Sequence, residues 1–293
     1  MTDASLAPSR FSGTVARLWL AASRNKRLLL GGSILVVIIA LAVFAPLIAP
    51  YSPIQQDMQA RLQAPSWAHW LGTDHLGRDT LSRLLFGLRP SLISGVAAVM
   101  LATLFGSLIG VAAGYAGGVF DAVVGRIFDL LVAWPAIFIA IGMILIIGPG
   151  PVGVVLAIAL SELPVFGRVA RAVTLANLNM GHVEVARSMG ASPARIMRRH
   201  ILPFTVNPLI LQFAISAPAA VVAEAGLSYL GLGSQPPNPS LGMLVSDAQL
   251  YLSRSAYGAV FPIIAIGLLV LSLTLIADGT QDILDPRRRR QLR

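Results

Sequence analysis

The sequence HVEVARSMGASPARIMRRHILP, residues 182–203, is a basic passage set between segments that are hydrophobic enough to lie in a lipid bilayer. Residues 183–189 are compatible with a helix and contain no helix breaker. Gly190 stands where a C′ glycine ends a helix, and Ser192 and Pro193 form an N-cap and N1 pair for a second helix. The passage therefore predicts two short helices joined by a hinge at Gly190.

The charge of this passage predicts its side of the membrane. Loops rich in arginine and lysine stay on the cytoplasmic side, and the passage carries Arg187, Arg195, Arg198 and Arg199. We expect a cytoplasmic segment that contacts a soluble partner and that is stopped or kinked at Pro203. Charge alone fits a positively charged loop without a partner equally well.

Composition predicts an all-α polytopic membrane protein. The 293 residues are 56% hydrophobic and only 12% charged, with a mean hydropathy of +0.76. A net charge of +9 would suggest nucleic acid in a soluble protein, but here the positive residues flank apolar segments and lack accompanying base-stacking aromatics, so we expect contact with lipid and no nucleic acid. The absence of cysteine excludes a disulfide framework and thiolate chemistry.

Six apolar segments are predicted to span the membrane: 28–49, 91–114, 127–147, 152–165, 205–225 and 255–277. The first has a signal peptide as its rival, but its apolar run is too long for an h-region. The fourth is short, and residues 79–88 have the spacing of an interfacial helix. Residues 115–126 are predicted as a short cytoplasmic turn, and residues 226–254, which are rich in proline, glycine and polar residues, are predicted as an outer loop. The predicted units are a tail (1–27) with an amphipathic helix near 15–22, a first helix with an extracytoplasmic segment (28–90), a five-helix core (91–280) and a basic tail (281–293).

The distribution of charge predicts that both termini are cytoplasmic. In that orientation the inner side has five lysines or arginines in the N-terminal tail, one in the second loop, six around residues 168–199 and five in the C-terminal tail. These 17 compare with five on the outer side, as the positive-inside rule requires.

Catalytic motifs are missing from the sequence. The only lysine, Lys26, lies between Asn25 and Arg27, so no phosphate-binding P-loop is present. The four histidines are scattered without metal-ligand spacing, and no GxSxG motif occurs. We expect a chain that is not itself an enzyme and that holds no metal.

Three acidic residues lie in or near predicted spans: Asp129, Glu162 and Glu224. An acid in lipid costs on the order of 3 kcal/mol, and it suggests a proton or cation relay. Placement at segment boundaries explains the three acids more simply. Two interpretations are open for Arg168 and Arg171. In the first they pair with a nucleotide-binding partner, and in the second they anchor the helix at the cytoplasmic interface.

A repeated glycine pattern lies in the second predicted span. Gly106, Gly110 and Gly114 recur at every fourth position, which brings them to one face of a helix. Small residues at this spacing allow a second helix to approach the backbone closely. The pattern predicts a packed face.

The spacing within residues 182–203 resembles the EAA loop of ABC importer permeases. The resemblance is carried by Glu184, Ala186, Gly190 and Leu202-Pro203, whereas Val185 and His200 depart from the usual motif. Further passages are similar to the C-type permease of the dipeptide, oligopeptide and nickel importers, although Phe204 departs from it. These are LGTDHLGRDTLSRLLFGLRPSL (71–92), YAGG (115–118), GLSYLGLG (226–233) with QPP (235–237), and Asp278-Gly279 with Asp282 and Asp285-Pro286-Arg287.

This resemblance implies a type I permease core in the bacterial inner membrane, which pairs with a related permease to form a heterodimeric pore. It implies two ATPase subunits that hold ATP and Mg, with no cofactor on this chain, and a solute-binding protein outside. The residues implied to couple to the ATPases are Glu184, Ala186, Arg187, Gly190, Ala191, Ser192, Leu202 and Pro203.

Two other classes of function stay open at this stage. An ion-coupled secondary transporter would use Glu162 or Asp129, but no inverted repeat supports it. A structural membrane scaffold would assemble without an ATPase. The solute is not fixed by the sequence, since peptides, nickel chelates, glutathione and opine-like compounds are all carried by similar importers.

Overall fold

Helices build almost all of the part of the chain that the structure, a computed structural model, describes, residues 25–284. The predicted helix over 15–22 and the basic run 287–290 lie outside these residues. The helices are α1 (Lys26–Val43), α2 (Ala45–Ile48), α3 (Thr80–Ala116), α4 (Gly118–Ala133), α5 (Ala136–Ile147), α6 (Pro151–Asn177), α7 (Gly181–Ser188), α8 (Pro193–Ile196), α9 (Leu202–Tyr229), α10 (Leu241–Gln249) and α11 (Tyr257–Leu284). A π-helical turn, Met197–Ile201, joins α8 to α9.

Five helical segments within residues 25–284 are long and apolar enough to cross a membrane: α1, α3, α6, the stretch Pro193–Tyr229 and α11. A sixth crossing exists if α4 and α5 count as one span. The all-α polytopic fold is therefore confirmed. The side of the membrane on which the termini lie stays a prediction.

The third predicted span, 127–147, is wrong as a single helix. The chain bends by 99° between α4 and α5. Trp134 is extended, with φ −86° and ψ 133°, because the ring of Pro135 disfavours the helical conformation of the residue before it. With 12 residues, α5 is about 18 Å long, which is shorter than a hydrocarbon core of about 30 Å.

Two predicted spans are longer in the structure. Helix α3 has 37 residues and runs through Pro90, so residues 79–88 are its first turns and not a separate interfacial helix. The Asp79 side chain caps α3 by accepting a hydrogen bond from the Ser82 N–H. Helix α6 continues to Asn177, twelve residues beyond the predicted end of the fourth span. A single residue, Gly117 with φ +63°, separates α3 from α4, where a longer turn was predicted.

The first and last spans lie side by side, with their chain ends together. The guanidinium of Arg27 is 3.8 Å from the carboxylates of both Asp278 and Asp282, and the Asn25 side chain donates to the Gly279 carbonyl. The start of α1 and the end of α11 therefore lie at the same end of the bundle. For its two ends to lie together, the chain must cross the membrane an even number of times from the start of α1 to the end of α11.

The longest helix contact is between α3 and α6. Their buried apolar side chains meet those of α5 and α9 in one core cluster, which includes Val99, Ala102, Val154, Phe166 and Ala220. A second cluster joins α1, α9, α10 and α11. The segment 226–254, predicted as an outer loop, contains α10, whose Leu241 and Leu244 are buried in this part of the molecule.

Candidate functional site

Residues 181–203 fold as a helical hairpin, which we call the coupling hairpin. Helix α7 ends in a Schellman motif, in which the Ala191 N–H donates to the Ala186 carbonyl and the Gly190 N–H donates to the Arg187 carbonyl. Gly190 has φ +76°, a conformation that glycine adopts without a steric penalty. Ser192 occupies the N-cap position of α8, with Pro193 at its first turn.

One face of the coupling hairpin is buried. Val183, Ala186, Ile196 and Ile201 pack in a cluster with residues of α3 and α6, including Val111 and Ala170. Ala191 and Leu202 are half-buried against the same cluster. The hairpin is therefore attached to the ends of two spanning helices by apolar contacts, and its position follows theirs.

The opposite face is exposed and positively charged. Glu184, Arg187, Gly190, Ser192 and Pro203 are exposed, and so are the arginines at 195, 198 and 199. Two large apolar side chains lie on this face, since Val185 is 58% exposed and Met189 is 81% exposed. Exposed apolar side chains surrounded by charges are typical of a surface that binds another protein.

The hairpin continues into a spanning helix without interruption. In the π-helical turn the Leu202 N–H donates to the Met197 carbonyl, five residues back. Pro203 is the second residue of α9 and has no N–H to donate to the turn before it, yet the helix continues through it. The predicted stop at Pro203 is therefore wrong: the helical stretch runs from Pro193 to Tyr229.

An aromatic cluster closes the base of the hairpin. The His182 ring lies 5.2 Å from the ring of Phe204 and 6.2 Å from that of His200. Both His200 and Phe204 depart from the motif that the sequence resembles. The two residues that depart from the motif, His200 and Phe204, therefore both contact the His182 ring at the start of α7.

The three glycines of α3 lie directly against α6. A Cβ atom would lie 2.6 Å from the Leu163 carbonyl oxygen at Gly106 and 2.1 Å from the Gly167 carbonyl oxygen at Gly110. At Gly114 it would lie 3.0 Å from the Thr174 Cβ. The absence of a side chain at these positions permits the backbones to meet.

Two ion pairs hold α4 against α6. Arg171 donates two hydrogen bonds to Asp121, at 2.5 and 2.6 Å, and Arg168 donates one to Asp129 at 2.8 Å. Both arginines therefore have partners within this chain, and their role as anchors at the cytoplasmic interface stays a prediction. Asp129 pairs with Arg168 and not with Arg126, its neighbour along the chain.

A cleft of about 420 Å³ lies between α5, α6 and α9. Its walls are formed mostly by small residues, with Ser161, Glu162 and Tyr229 as the polar members. A Glu162 oxygen accepts a hydrogen bond from the Ser216 hydroxyl at 2.8 Å. The structure thus places Glu162 inside a helix and beside a cleft, where boundary placement was predicted.

Glu224 is buried elsewhere in α9. It is 2% exposed, and its Oε1 accepts a hydrogen bond from the Ser228 hydroxyl at 2.7 Å. No partner for its Oε2 is present within residues 25–284. Glu224 therefore lies within the protein and contributes nothing to the cleft beside Glu162.

At the other end of the spans, a buried ion network joins the segment before α3 to α10. Asp74 accepts hydrogen bonds from Arg78, at 2.6 Å, and from Arg83, whose side chain is fully buried, and both arginines also contact Asp247. Burial raises the pKa of the Asp74 carboxyl, but Arg83, Arg78 and backbone N–H groups outweigh burial and lower it below its ordinary value of 3.8. The two predicted outer segments, 50–90 and 226–254, are joined by this network.

Comparison with known proteins shows where the chain belongs. Residues 106–290 match the family described as binding-protein-dependent transport system inner membrane component, and residues 15–65 match the N-terminal TM domain of oligopeptide transport permease C. The first match covers more than half of the chain. The chain belongs to this permease family. It is a transmembrane subunit of an ABC importer and lies in the inner membrane.

The permease is similar to curated relatives over most of its length. It is 40% identical over 257 residues to the glutathione transport system permease protein GsiD of Pectobacterium atrosepticum, which covers 87% of this chain and 85% of that protein. It is 37% identical over 264 residues to the dipeptide transport system permease protein DppC of Alkalihalophilus pseudofirmus, which covers 90% and 87% of the two chains.

The fold of the permease is similar to a solved structure described as inward facing conformations of the MetNI methionine ABC transporter. The TM-score is 0.56 at 18% sequence identity, over 69% of this chain and 96% of that chain. The likeness therefore confirms the fold. The family and the inner-membrane location predicted from the sequence are confirmed by the family matches.

Two features of the permease were not predicted from the sequence. Ser216, the hydrogen-bond partner of Glu162, is 54 positions away, and the Asp121–Arg171 pair spans 50 positions. The acids and arginines themselves were visible as charges in or beside apolar segments. Their partners were not, because the packing of α6 against α4 and α9 decides them.

Proposed function

We propose that this permease imports peptides or similar small solutes, that it forms half of the translocation pore with a second, related permease, and that the coupling hairpin docks on ATPase subunits. The observation that carries the proposal is the two-faced hairpin. Its inner face is packed on α3 and α6, its outer face is exposed and basic, and it is continuous with a spanning helix.

The proposed mechanism is alternating access driven by the ATPases. ATP and Mg would be held by those partner subunits, and this chain would hydrolyse nothing. A docked subunit that contacts the hairpin differently in its two states would shift the equilibrium between the two arrangements of the spanning helices. The hydrogen-bonded path from α8 into α9 transmits that displacement without a flexible linker.

The solute class is supported by the relatives, which are named as glutathione, dipeptide and di/tripeptide permeases. The two outer segments, which the buried ion network of Asp74 and Arg83 joins, form the face on which a solute-binding protein would dock. A rigid outer face suits a partner that must deliver its solute at one position.

The coupling hairpin is tested with Gly190→Val and Glu184→Lys. We expect both variants to insert in the membrane at the parental level but to lose ATP-driven uptake of alanyl-alanine by the assembled importer. Valine at φ +76° disrupts the Schellman turn at a cost of about 1–2 kcal/mol or more, and lysine removes the only acidic side chain on the exposed face of the hairpin within the described residues.

Gly231→Val is the matched control. Gly231 has φ +80° and closes a Schellman motif at the other end of α9, where the Leu232 N–H donates to the Leu227 carbonyl. Gly231→Val therefore introduces about the same backbone strain as Gly190→Val, but outside the coupling hairpin. Unchanged ATP-driven uptake in both hairpin variants would refute the proposal, and equal loss in the Gly231 variant would attribute the effect to general strain.

A further inference from the structure

We propose that the cleft between α5, α6 and α9 is a binding site for a cationic amine, with the Glu162 carboxylate as its anionic ligand. This inference deepens the proposed function and rests on it, because the amine of a peptide-like solute is its terminal ammonium group. A carboxylate and an ammonium form charge-assisted hydrogen bonds, which are about twice as strong as neutral ones.

The dimensions of the cleft fit a small solute. Its volume of about 420 Å³ is within the range of roughly 300–1,000 Å³ that is typical of ligand pockets. The walls are formed largely by alanine and glycine, including Ala140, Ala157, Ala219 and Gly226. Such walls leave room for ligand side chains of different shape and do not orient them. The Glu162 carboxylate is therefore the group that orients a ligand.

The Glu162 carboxylate has no cationic partner among the residues that line the cleft. Ser216 donates to it, and the Gln212 side chain in turn donates to the Ser216 hydroxyl at 3.2 Å, so the carboxylate is oriented by a neutral chain of hydrogen bonds. Arg168, six residues further along α6, is already paired with Asp129. An acid in a spanning helix needs a charge partner or water, and here a bound cation supplies it.

The depth of Glu162 places it along a route across the membrane. It lies eleven residues into α6, or about 17 Å from the helix start at Pro151. The site therefore lies along α6 between the outer segments and the coupling hairpin, and a solute on its way through the pore would meet it.

Single cysteines in the cleft measure its charge without knowledge of the natural solute. The chain has no cysteine, so Ala219→Cys gives it a single thiol on the wall formed by α9, one turn from Ser216, and labelling is measured on this chain alone. The assembled importer in membranes is labelled with two methanethiosulfonate reagents of similar size, one carrying an ammonium and one a sulfonate. The ratio of the two rates is compared with that at Ala116→Cys, which is exposed at the end of α3 and lies outside the coupling hairpin.

We expect the ammonium reagent to be favoured at Ala219→Cys and this preference to fall by about tenfold when Glu162→Gln is added, as expected for loss of one charge nearby in a partly hydrated site. Glu162→Asp should keep it, and the ratio at Ala116→Cys should not change. An equal ratio with and without Glu162, or no reaction with either reagent, would overturn the proposal; the latter result would show that another subunit fills the cleft.

Transport separates this inference from the proposed function. In proteoliposomes with the assembled importer, Glu162→Gln should raise the KM for alanyl-alanine by about tenfold with a smaller change in kcat, and Glu162→Asp should restore the KM. A parental importer that carries no peptide, but whose cleft shows the charge-dependent labelling, would refute the peptide function and leave the amine site standing. Normal KM in Glu162→Gln would refute a role of the site in transport.

Discussion

Replacing Gly110 by alanine should destabilise the fold more than the same change at Gly106 or Gly114. A Cβ atom at Gly110 would lie 2.1 Å from the Gly167 carbonyl oxygen, which is 1.3 Å short of an ordinary contact of 3.4 Å. The shortfall is 0.8 Å at Gly106 and 0.4 Å at Gly114. Since the obstructing atoms at Gly110 belong to the backbone of α6, a side-chain rotation cannot relieve the clash, and the two helices must separate.

The expected size of the effect follows from two opposing terms. Forced overpacking costs typically 1–3 kcal/mol, whereas alanine gains up to about 1 kcal/mol over glycine from its helix propensity. At Gly110 the clash dominates, and we expect a net loss of about 1–2 kcal/mol. At Gly114 the two terms nearly cancel. The most stable of the three variants should therefore be Gly114→Ala, followed by Gly106→Ala, and the least stable should be Gly110→Ala.

The measurement is the midpoint of thermal unfolding of the purified importer in detergent, where about 1 kcal/mol corresponds to roughly 2–4 °C for a chain of this size class. Gly125→Ala is the control, because a Cβ atom there meets nothing within 4 Å. Its midpoint should equal or exceed that of the parental protein. A midpoint for Gly110→Ala that is no lower than that of Gly114→Ala would refute the reasoning from close contact.

The other predictions concern the two charge networks. Asp121→Arg and Arg171→Asp should each lower the midpoint of thermal unfolding by about 2–4 °C. The double variant should recover only part of this loss, because the reversed pair places a cation in the first turn of α4. Additive losses in the double variant would contradict this pairing. Since the pKa of Asp74 is lowered in the folded state, its contribution to stability is complete above 3.8 and is lost as the pH falls through the lower folded value. The protection factors of the segment 57–79, which are exchange rates corrected for the intrinsic rate at each pH, should therefore fall below pH 3.8. Asp74→Asn, which leaves the buried Arg83 without its main partner, should lower them at neutral pH; protection in Asp74→Asn equal to the parental level would show that the network is not what holds the segment.

Hydropathy was sufficient to predict an all-α fold with several long apolar helices, but it was not sufficient to predict where those helices begin, end or bend. Apolar content averages over a window, so the run 127–147 read as one span although Pro135 breaks it in the structure. The local signal was present, because the residue before a proline avoids the helical conformation. Pro90 had the opposite outcome and lies inside α3, so a proline alone does not decide between a bend and a continuous helix.

The coupling hairpin was predictable because its geometry is set by neighbours along the chain. The hinge at Gly190 and the start of the second helix at Pro193 depend on local backbone preferences, and the structure places them as the sequence indicated. The partners of Arg168, Arg171 and Glu162 depend on which helices pack together, and hydropathy and local spacing carry no information about contacts over 39 to 54 positions. The hairpin could therefore be located from the sequence, whereas the cleft could not.

The arrangement of helices connects that surface to the cleft through two routes. The coupling hairpin packs on α6 through Ala170, and it is covalently continuous with α9. These two helices also carry the two sides of the hydrogen bond between Glu162 and Ser216. If a docked ATPase displaces the hairpin, α6 and α9 move by amounts set by different attachments, one by packing and one by a hydrogen-bonded helix. A difference between the two displacements changes the distance between Glu162 and Ser216, and with it the affinity of the cleft for an ammonium group. Such a difference would couple nucleotide binding to the affinity of the cleft, because a motion that left the cleft unchanged would have no effect on affinity.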